Sequence, residues 1–325
     1  MKCTNKPFLI LTIIGTLLLT GCSSGKYPVP YTADTDISSF SIVNSERTSS
    51  KASSFANKLC VVDQNINASS IPLTASAAAG LFDLSGKNVI FAKDIHKQMY
   101  PASLTKMMTA IVALKNGNPD MILTASSNVK INESGAQVIG LNKGDTMTLS
   151  QALNILLIYS ANDVAVLIAE GISGSEEAFV ELMNKEALSI GATNTHFMNA
   201  HGLNNEEHYS TPYDLYLIMN EAIQFETFNE IIHTPEYNTT YYDAKGNPVE
   251  VNIKSTNMYL NGTIEMPTGV TVVGGKTGTT SAAGHCLIML SKDTKSNPYI
   301  SVVMKSDNRE DMYGYMSMLL KQITN

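Results

Sequence analysis

This chain of 325 residues has no tryptophan, only two arginines and only four cysteines. Basic side chains are outnumbered by acidic ones, and the formal net charge is −7. That balance argues against a nucleic-acid partner, because binding DNA or RNA needs a basic footprint. No period of roughly 20–50 residues recurs, so repeat folds are set aside. No H-E-x-x-H helical zinc site occurs, and neither a metal nor a cofactor is expected. What is present is an ordinary apolar fraction of 44%. With this length it suffices for one large domain, or a domain plus a tail.

The N-terminus reads as a targeting segment. Lys2 and Lys6 precede a mainly apolar run from Phe8 to Leu19. The run is shorter than the roughly 20 residues a membrane span takes, and has the length of a signal-peptide core. It ends in Leu19-Thr20-Gly21-Cys22, which resembles the lipobox of bacterial lipoproteins. The resemblance implies cleavage before Cys22 and lipid attachment to its sulfur. The protein would then sit outside the cytoplasm, held to the membrane by two acyl chains, where one would not suffice. The expected division is a signal peptide at 1–21, a Ser/Thr/Asp-rich flexible tether at 22–69 and a catalytic domain at 70–325. Cys60 and Cys286 remain in the exported part. Either a disulfide or two buried thiols is compatible with an oxidising exterior.

Patterning along the domain predicts an α+β fold, an antiparallel sheet flanked by helices, with a helical subdomain between its strands. Ala79–Asp83 and Asn88–Ala92, around Gly86-Lys87, predict a hairpin. Leu104–Leu114 predicts a buried helix, with Pro101 suited to its first turn. Thr148-Leu149-Ser150-Gln151 has the form of a capping box opening a helix to about Tyr159. A break at Ser160–Asp163 follows, then helix from Val164 to a stop at Gly171. Ser175 caps a helix to Ile190, and Gly191 ends it. Val270–Val273, Cys286–Leu290 and Ile300–Met304 predict strands, and Glu310–Gln322 a last helix.

Three short motifs occur in order. Ser103-Leu104-Thr105-Lys106 is S-x-x-K, Ser160-Ala161-Asn162 is S-x-N, and Lys276-Thr277-Gly278 is K-T-G. Each alone is weak; the ordered trio is characteristic of serine acyl-transfer enzymes. Three residues apart on a helix, Lys106 reaches the Ser103 hydroxyl. That hydroxyl needs a base, and Lys106 can serve only if neutral. Burial, a helix N-terminus and the second cation of Lys276 all lower its pKa. Ser160 at a helix break can bridge Lys106 to a leaving group, and Asn162 offers both a donor and an acceptor to a substrate amide. Small residues through Gly274–Thr280 suit an edge strand to which an extended peptide adds. The N–H groups of Ser103 and Thr279 would form an oxyanion hole.

From about residue 75 onward the chain resembles the low-molecular-mass penicillin-binding proteins, the serine D-Ala-D-Ala carboxypeptidases. The resemblance is carried by Tyr100–Thr109, by Gly191–Phe197 with His201-Gly202-Leu203, by Tyr209-Ser210-Thr211 with Asp214-Leu215, and by Lys276–Thr280 with Ala283-Gly284. It implies the penicillin-binding/β-lactamase-like transpeptidase fold. It also implies an acyl-enzyme on Ser103, peptidoglycan stem peptides as substrate and β-lactams as inhibitors. Catalytic roles would fall to Ser103, Lys106, Ser160, Asn162 and Lys276, and substrate binding to Thr277, Gly278, Thr279 and Arg309. Arg309-Glu310 matches the family's carboxylate-holding position; a surface Arg paired with Asp307 or Asp311 is the other reading. Many members continue into an all-β domain and an amphipathic anchor. With only Thr279–Asn325 beyond the third motif, both are expected to be missing here. Thr279 stands where some members have His.

Three other functions compete with this reading. A β-lactamase of class A needs a Glu-x-x-Leu-Asn deacylation loop, and none occurs. A zinc peptidase could draw on His196, His201, His208, Glu206 and Glu207, but their spacing fits solvated or structural roles better. A lipoprotein that binds penicillin or cell-wall peptide without turnover would not need every catalytic side chain.

Overall fold

In the computed structural model, which describes residues 56–324, the domain opens with the expected hairpin of β1 (Ala78–Asp83) and β2 (Asn88–Lys93). Asp83 Oδ1 closes its turn by accepting from the N–H groups of Ser85 and Gly86, each at 2.9 Å. A 3-10 turn, Ala102–Thr105, leads into α1 (Lys106–Asn116). β3 (Ile122–Thr124), β4 (Thr146–Thr148), α2 (Leu149–Asn154), α3 (Asn162–Ser173), α4 (Glu176–Ser189), α5 (Pro212–Ala222) and α6 (Glu226–His233) make the middle of the chain. β5 (Glu236–Tyr242), β6 (Pro248–Lys254), β7 (Thr271–Thr280), β8 (Gly284–Lys292), β9 (Pro298–Ser306) and α7 (Arg309–Lys321) complete it.

Local capping explains several boundaries. Thr148 and Gln151 form the expected reciprocal box, with Gln151 N–H donating to Thr148 Oγ1 at 3.1 Å and Thr148 N–H donating to Gln151 Oε1 at 2.9 Å. Ser175 caps α4 through Ala178 N–H, and Gly191 follows that helix at a φ of +84°. The stop expected at Gly171 is not taken: α3 runs on to Ser173 and ends at Gly174, whose φ is +81°. Gly171 is small for packing instead, since a Cβ there would lie 2.5 Å from Leu123 Cδ2 of β3.

The five-stranded sheet has the order β2-β1-β9-β8-β7, with every pairing antiparallel. It is buried on both faces, and successive residues feed opposite sides. Cys286, Ile288 and Leu290 enter the cluster under α1 and α5, whereas Leu287 and Met289 enter the one under α7. Each fully buried aliphatic side chain contributes about 1.5–3 kcal/mol, so the two clusters carry the domain. β7 lies at the sheet's edge, as expected, and its outer backbone groups can pair with an added strand.

Two features depart from the expected layout. The helical block contains a second sheet, of order β3-β4-β5-β6. Its signal was present in the alternation of Val249, Val251 and Ile253 with Glu250, Asn252 and Lys254. The folded domain also begins before residue 70. Cys60 is 1% exposed and its N–H donates to Tyr216 Oη at 2.9 Å, while Ile66 pairs with Ala92. Residues 60–69 therefore belong to the folded domain, with Cys60 and Val62 buried in its core, because scattered apolar residues there find partners distant in sequence. Cys60 and Cys286 are free, buried thiols, and burial pushes each up to about 11.

Candidate active site

Ser103 stands on the 3-10 turn, not on α1. In a 3-10 turn residues i and i+3 eclipse, which brings the Lys106 side chain directly over Ser103. Lys106 Nζ lies 3.0 Å from Ser103 Oγ, 2.8 Å from Asn162 Oδ1 and 2.5 Å from the His201 carbonyl oxygen. Lys106 is fully buried. Burial, and next the charge of Lys276, hold it well below the ordinary lysine range; Asp163 works in the opposite direction.

The break before α3 is a π-helical turn, Ile155–Tyr159, that ends on Ser160 in the left-handed conformation at a φ of 73°. Such single π turns and non-glycine left-handed residues concentrate at functional sites. The turn delivers the Ser160 hydroxyl to Lys276, whose Nζ donates to it at 2.8 Å and to the Thr277 carbonyl at 2.9 Å. Burial lowers Lys276 to about 7. Asn162 begins α3, and the Asp163 carboxylate beside it accepts from the N–H groups of Ile139, Gly140 and Leu141. This ties the 135–141 segment along one rim.

β7 closes the other side. A Cβ on Gly278 would lie 2.9 Å from the Ser103 nitrogen and 3.1 Å from Ala102 Cβ, so only glycine allows this approach. Between the walls is a cleft of about 640 Å³, lined by Ser103, Ser160, Asn162, Thr277, Thr279 and Arg309 among others. Arg309, the first residue of α7, is exposed and makes no ion pair among the described residues. Asp307 instead accepts from Ser76, and Asp311 from Asn308. All nine sequence-predicted site residues within the described span therefore converge on one cleft; Cys22 lies outside the described residues.

A family model described as D-alanyl-D-alanine carboxypeptidase matches residues 65–308. The chain belongs to that family. D-alanyl-D-alanine carboxypeptidase DacF of Bacillus subtilis is 34% identical over 66% of this chain and 54% of its own length. DacA of Haemophilus influenzae is 33% identical over 69% and 55% respectively. The chain thus spans about half the length of the curated relatives it matches. Among solved structures, D-alanyl-D-alanine carboxypeptidase from Mycobacterium tuberculosis is similar at a TM-score of 0.69 and 25% identity, covering 80% of this chain and 95% of that one. A mutant Streptomyces DD-transpeptidase is similar at a TM-score of 0.70 and 25% identity, covering 77% and 98%. The α+β fold is that of these penicillin-binding-type enzymes.

The stretch Gly191–Leu203 with Tyr209–Leu215, which carried part of the family resemblance, is the scaffold behind the Ser103 turn. Ser210 and Met99 exchange backbone hydrogen bonds at 2.8 and 2.9 Å, and His196 pairs with Tyr209. Thr195 Oγ1 and Asn194 N–H both donate to the Asp214 carboxylate. His208 is a link that the spacing did not reveal. Met198 N–H donates to its Nδ1 at 3.1 Å, so the pattern assigns the ring proton to Nε2, which donates to Thr105 Oγ1 at 2.8 Å. Thr105 then donates to the Ala102 carbonyl at 2.8 Å. Ala102 precedes Ser103 and is held at a φ of +49°. Gly202 packs on the same carbonyl, where a Cβ would lie 2.0 Å from the oxygen. Burial lowers His208 to about 4 and His201 to about 3. His201 is therefore neutral, and its Nε2 contact with Glu176 at 3.7 Å is a dipole contact and not an ion pair.

Proposed function

We propose that this protein is a serine D-alanyl-D-alanine carboxypeptidase that removes the terminal D-Ala from peptidoglycan stem pentapeptides through an acyl-enzyme on Ser103. One observation carries the reading. A neutral amine has two hydrogens and one lone pair, and Lys106 Nζ has two fixed acceptors, Asn162 Oδ1 and the His201 carbonyl. The lone pair is left for the third neighbour, the Ser103 hydroxyl at 3.0 Å.

Lys106 takes the Ser103 proton as Oγ bonds to the penultimate carbonyl carbon. The Ser103 and Thr279 N–H groups receive the developing oxyanion. The C–N bond then breaks, and the leaving amine takes a proton passed from Lys106 through Ser160, which Lys276 orients. Water next splits the ester, giving the shortened peptide and restoring the Ser103 proton. Asn162 aligns the substrate amide, and Gly278 admits the peptide against β7. Thr277 and Arg309 bind the terminal carboxylate, Arg309 as a cation not neutralised by a neighbour. A β-lactam opens on the same serine and remains attached.

The decisive experiment incubates the protein with a pentapeptide ending in D-Ala-D-Ala and analyses products by mass spectrometry. Release of one D-Ala, lost in Ser103→Ala together with penicillin labelling, is expected. Labelling that persists in Ser103→Ala would refute the assignment, and rapid nitrocefin turnover would point to a β-lactamase. The reading includes an extracytoplasmic location with lipid attachment at Cys22. Cys22→Ala should release the protein from membranes or leave it unprocessed.

A further inference from the structure

Next to the cleft, with Arg309 on the border, lies a second, mostly apolar recess of about 490 Å³. Met258, Arg309 and Tyr313 line both spaces, so the two adjoin. Arg309, Tyr313 and Ser317 are spaced i, i+4 and i+8 on α7 and share one helix face. The opposite wall is the 257–264 segment, which is pinned in place. Ile264 N–H donates to the Met258 carbonyl at 3.0 Å, and Met258 N–H donates to Tyr313 Oη at 2.9 Å. The Tyr313 hydroxyl is thereby occupied, and its ring is left as an apolar floor.

Gly314 opens the recess. It lies inside α7, where glycine costs about 1 kcal/mol relative to alanine. Packing does not require it, for a Cβ at Gly314 would meet nothing within 4 Å. The missing side chain leaves open space in the recess that Gly314 lines together with Arg309.

We propose that this recess binds the side chain of the C-terminal residue of the peptide, and that it selects long apolar D-residues over D-Ala. The inference rests on the proposed carboxypeptidase reading. With the terminal carboxylate on Arg309 and Thr277, the side chain branches from the adjacent carbon, beside the recess that Arg309 also lines. The methyl of D-Ala leaves nearly all of it empty. An unbranched or γ-branched chain, as in D-Met or D-Leu, reaches Met258, Ile264 and the Tyr313 ring. The bond cleaved and the acyl-enzyme are unchanged; only the leaving amino acid differs.

The test compares kcat/KM for otherwise identical pentapeptides ending in D-Ala-D-Ala, D-Ala-D-Leu and D-Ala-D-Met. The long residues should be released about tenfold faster, since even one methylene in an apolar pocket is worth roughly tenfold or more. In Gly314→Leu the D-Leu to D-Ala ratio should fall to one or below. Penicillin acylation in the same variant reports whether Ser103 is still assembled. Equal or slower release of the long residues by the wild-type protein, with D-Ala released normally, would overturn the recess and leave the carboxypeptidase reading standing. A ratio unchanged in Gly314→Leu would overturn it equally. Release of no terminal residue from any peptide would sink both.

Discussion

The two walls of the cleft are built differently. On the helical wall, Lys106, Ser160 and Asn162 are 0%, 6% and 4% exposed, and each polar atom facing Ser103 has a fixed partner. On the outer rim, Thr279 and Arg309 are exposed, and Arg309 has no counter-ion among the described residues. Chemistry needs the first condition, because only a desolvated lysine is neutral and only a fixed one is aligned. Recognition needs the second, because a cation already paired within the protein would have less to offer a carboxylate. Damage to the helical wall should therefore abolish reaction with every substrate, whereas damage to the rim should change which substrate is chosen.

The largest effect should come from the base. Lys106→Arg retains a charge that cannot be shed, and penicillin acylation should fall by roughly a thousandfold or more. A near-normal rate in stopped flow, with the fold intact by circular dichroism, would end the distinction between the walls. Gly202→Ala tests the same wall without touching a reacting group. Its Cβ cannot coexist with the Ala102 carbonyl, so the Ser103 turn must shift, and acylation should drop by roughly a hundredfold.

On the rim, Arg309→Ala should lower kcat/KM about ten- to a hundredfold for a free-acid peptide. A peptide with an amidated terminus should lose little more than it has already lost. Equal losses on both would make Arg309 part of the scaffold and erase the contrast.

The histidine behind the helical wall predicts a pH effect on stability. His208 is lowered to about 4 when folded, so in falling pH the unfolded chain binds the proton first. Its contribution is complete above the ordinary histidine pKa, and is lost as pH drops through the interval down to about 4. Urea unfolding should show a loss of about 1 kcal/mol between pH 7 and 5.5 from this group. His201 titrates in the same direction, so His208→Gln should reduce the slope without removing it. The smallest effect concerns sulfur. Cys60 and Cys286 are free, so a reductant should leave Tm unchanged; a Tm lowered by dithiothreitol would mean that the two thiols are paired.

Much of this was legible in the residues themselves. The capping box at Thr148, the Ser175 cap and the hairpin around Gly86 rest on bonds between neighbours, and local sequence encodes them. The unbroken apolar run Cys286–Leu290 announced a strand. The three motifs named the reacting side chains. Gly171 was misread as a helix stop because its role lies across the domain, against Leu123. The 60–69 segment was misread as tether because its partners, Tyr216 among them, are 156 residues away for Cys60.

By itself the sequence determined which groups could react, where most helices begin and which strand could take a peptide, since these follow from side-chain chemistry and short-range periodicity. Only the tertiary structure decided that Lys106 is stripped of water, that Asn162 and His201, 56 and 95 residues away, take its hydrogens, and that a recess opens beside Arg309. Burial and cross-chain geometry set those properties, and neither is a function of neighbouring residues.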